Sequence, residues 1–175
     1  MILCCHPALP REVCVALTLK SVAGFGVNEI ARAFLSTPAA VAQRLVRAKR
    51  LVRELGLTFE RPAPDELPRR LDAVLEVLYL LFNEGHVAHA GEQLVRPELC
   101  DEALRLATLL ADAESPRASE VHALLALMHL VRARQPARVG PDGELVSLKE
   151  QDRVRWDRGH LTRGFLHLDR SAAGE

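Results

Sequence analysis

Gln43, Arg44, Arg47 and Arg50 recur at short intervals, so an α-helix would gather them on one side. A glutamine amide pairs with adenine through two hydrogen bonds, and an arginine guanidinium pairs with guanine in the same way. Arginines further along such a helix neutralise phosphates. The alanine pair at 39–40 lets the backbone approach closely and can touch a thymine methyl. This pattern predicts a helix that contacts DNA.

The helix that would carry these side chains is predicted over residues 38–55. Thr37 supplies a hydroxyl N-cap, Pro38 suits the first turn, and apolar residues then follow every three or four positions until Gly56. Two earlier helices are predicted over 10–23 and 27–35, with a glycine stop between them. A short helix, a tight turn and a longer helix form the helix-turn-helix unit, whose second helix enters the major groove.

The charge of the chain is unevenly distributed, although its formal net charge is +0. Residues 1–61 contain nine basic and four acidic residues, a net charge of +5, and the remainder carries −5. A basic segment favours a polyanionic partner. A helix with several cations is often only a solvated surface, but the preceding short helix, the glycine stop and the capped start together favour DNA binding.

Composition and periodicity predict an all-α protein with two domains. Aromatic residues make up only 4% of the chain, and its apolar residues are mainly Leu, Ala and Val, of which Leu and Ala are good helix formers. The proline-rich stretch 58–68 is predicted to be a linker between a helix-turn-helix domain, 1–57, and a helical domain, 69–175. Further helices are predicted over 67–83, 98–113, 117–134 and 147–165, with a turn at 140–143.

Other residues capable of chemistry form weaker patterns. The cysteines at positions 4, 5, 14 and 100 match neither a disulfide framework nor the spaced pairs of a zinc site, so we expect reduced structural thiols. Glu84, His86 and His89 lack a further fixed ligand, which favours packing or solvated roles over a metal site. His122 and His129 lie seven residues apart, which fits one helix face and no chemistry. We expect no catalysis, no cofactor and no metal.

The location of the protein is predicted from what its sequence lacks. No secretory signal precedes the first helix, and the longest apolar run, 73–82, is short of the ~20 residues that a membrane span requires. We therefore expect a soluble, cytoplasmic protein.

Several motifs of the chain resemble extracytoplasmic-function sigma factors of the sigma-70 family. The stretches NEIARAF at 28–34 and TPAAVAQRLVRAK at 37–49 are similar to region 4 of that family, which has an E-I-A helix, a turn and a helix with V-x-x-R-L-x-R-A-[KR]. FNEG, RPELC and QDRVRWD, which begin at positions 82, 96 and 151, are similar to motifs of a long subgroup with a helical, tetratricopeptide-related extension. Ala42 departs from the pattern, because many relatives have a lysine there.

The resemblance implies recognition of the −35 promoter element and a partnership with the RNA polymerase core. The DNA-contacting residues it implies are Thr37, Pro38, Ala39, Ala40, Gln43, Arg44, Arg47 and Arg50. The extension would regulate the protein or contact another one. Region 2, which grips core polymerase, has no counterpart in the chain, so we expect a fragment of a sigma factor rather than a truncated relative.

Two other functions remain open at this point. The chain would also suit a one-component helix-turn-helix regulator whose helical part binds a small ligand. It would equally suit a helical interaction scaffold that has lost DNA binding.

Overall fold

Helices account for the regular structure of the chain, as the computed structural model shows. The structure describes residues 1–57, 62–63, 65–86, 97–113 and 117–173, and there is no strand among them apart from an isolated bridge between Val139 and Leu145. The prediction of an all-α fold is therefore confirmed. The helices are α1 (Arg11–Ser21), α2 (Val27–Ala33), α3 (Pro38–Glu54), α4 (Leu67–His86), α5 (Pro97–Ala111), α6 (Ala118–Ala133) and α7 (Arg158–Ala172).

The chain divides into two compact units, residues 1–99 and 100–175. This division differs in place from the predicted domains 1–57 and 69–175, because α4 packs on α1 and α2 and so belongs to the first unit. The predicted linker, 58–68, falls within the first unit, and its residues 58–61 and 64 lie outside the described part of the chain.

The core of the first unit is built around α1, which contacts α2, α3 and α4. Fully burying one large aliphatic side chain contributes about 1.5–3 kcal/mol, so a handful of such residues fixes how these helices pack. Buried side chains of this core, none more than 6% exposed, include Val15, Leu19, Phe25, Ile30, Val41, Leu45, Val77 and Leu78.

The turn between α2 and α3 sets the direction of the longer helix. Leu35 adopts a left-handed conformation, φ +49°, and its amide donates to the Arg32 carbonyl at 3.0 Å. The Ser36 amide donates to the Ala31 carbonyl at 2.8 Å, which completes a Schellman motif with leucine in the usual glycine position. Thr37 then caps α3, as predicted, by accepting a hydrogen bond from the Ala40 amide at 3.2 Å.

In the second unit, α6 and α7 pack closely along their lengths. A Cβ on Gly164 of α7 would lie 2.8 Å from the Leu130 side chain of α6, so glycine permits this approach. His129 and His160 bring their Nδ1 atoms within 2.8 Å, and His122 and His167 bring theirs within 3.1 Å. The two pairs lie in antiparallel register, since each histidine is seven residues from the next on its own helix.

The segment between α6 and α7 was predicted only in part. The turn at 140–143 is confirmed: Gly143 has φ +79°, and Val139 and Leu145 pair across it. The predicted helix over 147–165 is wrong, because α7 begins at Arg158. The Asp157 side chain accepts from the His160 amide at 2.8 Å and caps the helix there.

Among the residues that the structure describes, no helix combines the length and the apolar character needed to cross a membrane.

Candidate nucleic-acid interface

The outer side of α3 is open to solvent at most of the predicted contact residues. Val41, Leu45 and Ala48 are buried against the first unit, and Gln43 and Arg47 lie exposed on the other side of the helix. The Arg47 guanidinium donates to the Gln43 amide oxygen at 3.2 Å. This bond leaves the Gln43 amide nitrogen and most of the Arg47 donors pointing outward, where a base edge or a phosphate can meet them.

The first turn of α3 presents only small side chains. Thr37, Pro38, Ala39 and Ala40 are all exposed. Because the Thr37 hydroxyl oxygen accepts the Ala40 amide, Thr37 fixes the start of the helix and keeps its O–H group as a donor. The small surface allows a duplex to approach the backbone of this turn.

Arg44 is held more tightly than the sequence predicts. Its Nη2 atom lies 3.3 Å from Oε2 of Glu12 on α1, and its guanidinium carbon lies 5.3 Å from the centre of the Phe34 ring. The Arg44 side chain is 28% exposed, and that of Glu12 is 68% exposed. A cation stacked on a ring and paired with a carboxylate is restrained in its orientation.

The later turns of α3 carry cations on the exposed surface. The Arg50 Nε atom donates to the Glu54 carboxylate at 2.6 Å, and Arg53 donates to the Lys49 carbonyl at 3.3 Å. An exposed ion pair such as Arg50–Glu54 contributes little to stability, so its arginine can exchange the carboxylate for another anion. These side chains therefore suit non-specific phosphate contacts.

A groove of about 360 Å³ runs beside the predicted contact residues. Its lining joins the start of α1 to the outer side of α3 through Glu12, Val13, Ala40, Gln43, Arg44 and Arg47. The sequence does not predict Glu12 or Phe34 as partners of Arg44. The order of residues along the chain carries no signal for Glu12, since the pairing depends on how α1 crosses α3.

Glu84 and His86, two of the residues considered for a metal site, contact other side chains instead. Glu84 accepts from Arg32 at 2.7 Å, His86 stacks on Phe82 with ring centres 6.0 Å apart, and His89 lies outside the described residues. No group of three or more His, Cys, Asp or Glu with a metal-binding arrangement occurs in the described part of the chain.

Comparison with known proteins relates the chain to a protein family and to a bacterial protein. Residues 70–172 match DUF6596, a family of unknown function. An uncharacterized protein of Rhizobium meliloti (strain 1021) is 41% identical over 171 residues, which are 98% of this chain and 40% of that protein. The chain thus spans about two fifths of the relative's length. No solved structure matches it.

Proposed function

We propose that this chain, which belongs to the DUF6596 family, recognises the −35 element of promoters through α3 as part of an RNA polymerase sigma factor. The observation that carries the proposal is the outer side of α3, which combines Gln43 with the exposed cations Arg47 and Arg50 behind a small, capped first turn. A hydrogen-bonding side chain near the N-terminus of the helix and phosphate-binding cations after it are what a major-groove helix needs.

The packing of the first unit supports this use of α3. Within the described residues, α3 contacts α1 and α2, and α4 packs on α1 and α2 as well. Within this unit, the residues on the outer side of α3 therefore stay exposed to solvent. The Schellman turn at Leu35 and the Thr37 cap hold α2 and α3 in the relation of a helix-turn-helix.

The family match supports the wider assignment. DUF6596 domains are found in sigma-70-like proteins. The match begins at residue 70, after the helix-turn-helix, so this chain carries both the proposed promoter reader and the helical extension. We assign regulation or protein contact to the extension, and contact with core polymerase to the whole protein.

Each contact residue has its own role in the proposal. Gln43 reads a base, and adenine is the base that its amide fits best. Arg47 and Arg50 neutralise phosphates and set affinity without sequence preference. Arg44 reads a base only after it exchanges Glu12 for DNA, because its guanidinium is already engaged.

A selection experiment tests the proposal. The full 175-residue chain is used to select duplexes from a pool with a randomised segment, and affinities are then measured by fluorescence anisotropy across a salt series. Gln43→Ala should relax the preference at one base pair, with a loss of about 1–3 kcal/mol in the discrimination between bases. Arg47→Ala should weaken the binding of all duplexes alike and reduce the salt slope by about 1.

Arg170→Ala on α7 is the matched control, because it removes an exposed arginine outside the proposed interface and should change neither quantity. If the selection yields no sequence preference, or if both α3 variants bind like the unaltered chain, α3 is not a promoter reader. Co-purification of the longer protein with core polymerase then separately tests the sigma-factor assignment.

A further inference from the structure

A cavity lies beside the second half of α3, on the opposite flank of the helix from Arg44. Arg44 and Arg53 are separated by about two and a half helical turns, so their side chains leave α3 in opposite directions. The cavity has a volume of about 460 Å³, and Arg53 is part of its lining. Ligand sites in proteins typically have volumes of about 300–1,000 Å³. This cavity is therefore large enough for one small molecule.

Apolar side chains from three parts of the first unit form most of the cavity wall. Leu9 in the N-terminal segment and Leu17 in α1 are 7% and 9% exposed. Leu3 lines the same cavity and is 40% exposed. Val52 near the end of α3 and Leu57 after it add further apolar surface. An apolar ligand gains free energy by covering such surface within a concave site. The wall therefore favours a ligand with an apolar chain.

The lining of the cavity is cationic as well as apolar. It includes Lys49 and Arg53, about one turn apart on α3, and it includes no aspartate or glutamate among the described residues. The Arg53 Nε atom donates to the Lys49 carbonyl at 3.3 Å, which holds the arginine against the turn that carries Lys49. Arg50 of the same helix pairs with Glu54, whereas no carboxylate in the described part of the chain lies within ion-pair distance of Lys49 or Arg53. The cavity therefore favours a ligand with a negative charge.

Two further polar groups of the lining can donate hydrogen bonds. The Ala8 amide donates to Nδ1 of His6 at 3.1 Å, so Nε2 carries the proton of this ring and acts as a donor. Ser21, the last residue of α1, adds a hydroxyl group. A carboxylate accepts hydrogen bonds from both kinds of group. Together with the two cations, these donors favour an acidic head group over an amine.

We propose that this cavity binds a small amphiphilic carboxylic acid. The apolar chain of the acid lies among the leucines of the lining, and its carboxylate pairs with Lys49 and Arg53. A methylene group fills nearly the same volume as a water molecule, about 30 Å³, so an acid of about ten carbons occupies about 300 Å³ and fits the cavity. The proposed base contact at Gln43 is not part of this lining, so the inference stands whether or not α3 binds DNA.

Calorimetric titration of the full chain with decanoate, below the concentration at which it forms micelles, tests the proposal. We expect one molecule of decanoate to bind per chain. The alcohol 1-decanol keeps the apolar chain and lacks the charge, so it should bind about fivefold more weakly, which is the scale set by an ion pair at a protein surface. Acetate keeps only the head group and should show no measurable binding. Equal affinities for decanoate and 1-decanol would contradict the pairing with Lys49 and Arg53.

Alkylation of Cys4 reports where the acid binds. All four cysteines are free, and Cys4 is half-buried in the lining of the cavity, whereas Cys5, Cys14 and Cys100 are buried. Saturating decanoate should slow the alkylation of Cys4 by N-ethylmaleimide severalfold, and acetate should leave the rate unchanged. Fragment ions of the tryptic peptide 1–11 distinguish a label on Cys4 from one on Cys5.

Charge variants on α3 test the contact with the head group. A double variant with Lys49→Gln and Arg53→Gln should bind decanoate about fivefold more weakly and should bind 1-decanol like the unaltered chain. Arg50→Gln is the matched control, because it removes an exposed cation of the same helix that is not part of the lining. Absence of saturable decanoate binding, binding that leaves Cys4 unprotected, or a double variant with unchanged affinity for decanoate would overturn the proposal.

Discussion

The Arg32 guanidinium donates to the Glu84 carboxylate across 2.7 Å and joins α2 to α4. The Glu84 side chain is only 5% exposed, whereas that of Arg32 is 46% exposed. The DUF6596 match begins at residue 70, within α4. The family match therefore begins inside the first compact unit, and not at the boundary between the units at residue 99.

Removing Arg32 should destabilise the first unit. Arg32→Ala leaves the buried Glu84 carboxylate without this partner, and losing a hydrogen bond between charged groups costs about 1.5–3 kcal/mol. Glu84→Gln keeps an amide oxygen that accepts from Arg32, so its effect should be smaller. Urea unfolding followed by circular dichroism measures both. Arg105→Ala, which breaks the exposed Glu102 pair, is the control and should change stability little. Equal effects of Arg32→Ala and Arg105→Ala would contradict this account.

Neutralising Glu12 should strengthen DNA binding. Glu12→Gln removes the carboxylate that holds Arg44 and takes a negative charge away from the groove beside α3. If the released guanidinium then reaches the duplex, where it reads a base and neutralises an adjacent phosphate, affinity rises severalfold and the salt slope steepens by about 0.9. Anisotropy titrations at several salt concentrations measure both quantities. Glu102→Gln, on α5, is the matched control and should bind like the unaltered chain. An unchanged slope for Glu12→Gln would show that Arg44 stays away from DNA.

Replacing Leu35 by glycine should stabilise the protein. Leu35 has φ +49° and is 97% exposed, so its side chain contributes no burial in return for the left-handed backbone. That conformation costs a non-glycine residue about 1–2 kcal/mol, and glycine adopts it freely. We expect a net gain of about 1 kcal/mol in the free energy of unfolding, after allowing for the greater freedom of glycine in the unfolded chain.

Leu127→Gly is the control for this effect. Leu127 is exposed within α6, where glycine lowers helix stability by about 1 kcal/mol. The free energy of unfolding, measured by thermal or urea unfolding, should therefore rise for Leu35→Gly and fall for Leu127→Gly. A loss of stability for Leu35→Gly would mean that the leucine side chain makes a contact that outweighs its backbone strain.

The sequence predicts the helices well where its local signals are strong. The Thr37-Pro38 start and the apolar spacing up to Gly56 place the longer helix correctly, because capping and periodicity are local properties. The helix predicted over 147–165 is wrong for a local reason too, because the Asp157 side chain caps a helix that begins only at Arg158. A cap residue inside a periodic stretch thus starts the helix later than periodicity alone predicts.

The candidate site was less predictable, because its arrangement depends on residues far apart in the chain. Arg44 meets Glu12 only through the crossing of α1 and α3. Likewise, the seven-residue spacing of His122 and His129 gave no sign of the matching pair on α7. The sequence therefore does not predict how the helices cross and line up with one another.

Acid should destabilise the second unit through the histidine pairs. The pKa of His129 is lowered to about 4, mainly by burial and to a smaller extent by the neighbouring His160, Arg163 and His167. Burial is also the main cause that lowers the pKa values of His160 and His167. An ordinary histidine has a pKa of about 6.5, so the unfolded chain binds protons first as the pH falls. Stability is thus fully present above about pH 6.5 and is lost as the pH falls toward about 4.

The loss should be on the order of 3 kcal/mol for His129, because its pKa falls from 6.5 to about 4 and each pKa unit corresponds to about 1.4 kcal/mol. Trp156, the only tryptophan in the sequence, lies in the second unit, and its fluorescence during urea unfolding follows that unit. His129→Gln should flatten the pH dependence between about 6.5 and 4, since it removes the histidine whose pKa is lowered to about 4. His6→Gln, in the first unit, should leave the pH dependence of the second unit's stability unchanged. If His129→Gln shows the same loss as the unaltered chain, the acid sensitivity arises elsewhere, and the histidine pairs are packing contacts without a role in proton linkage.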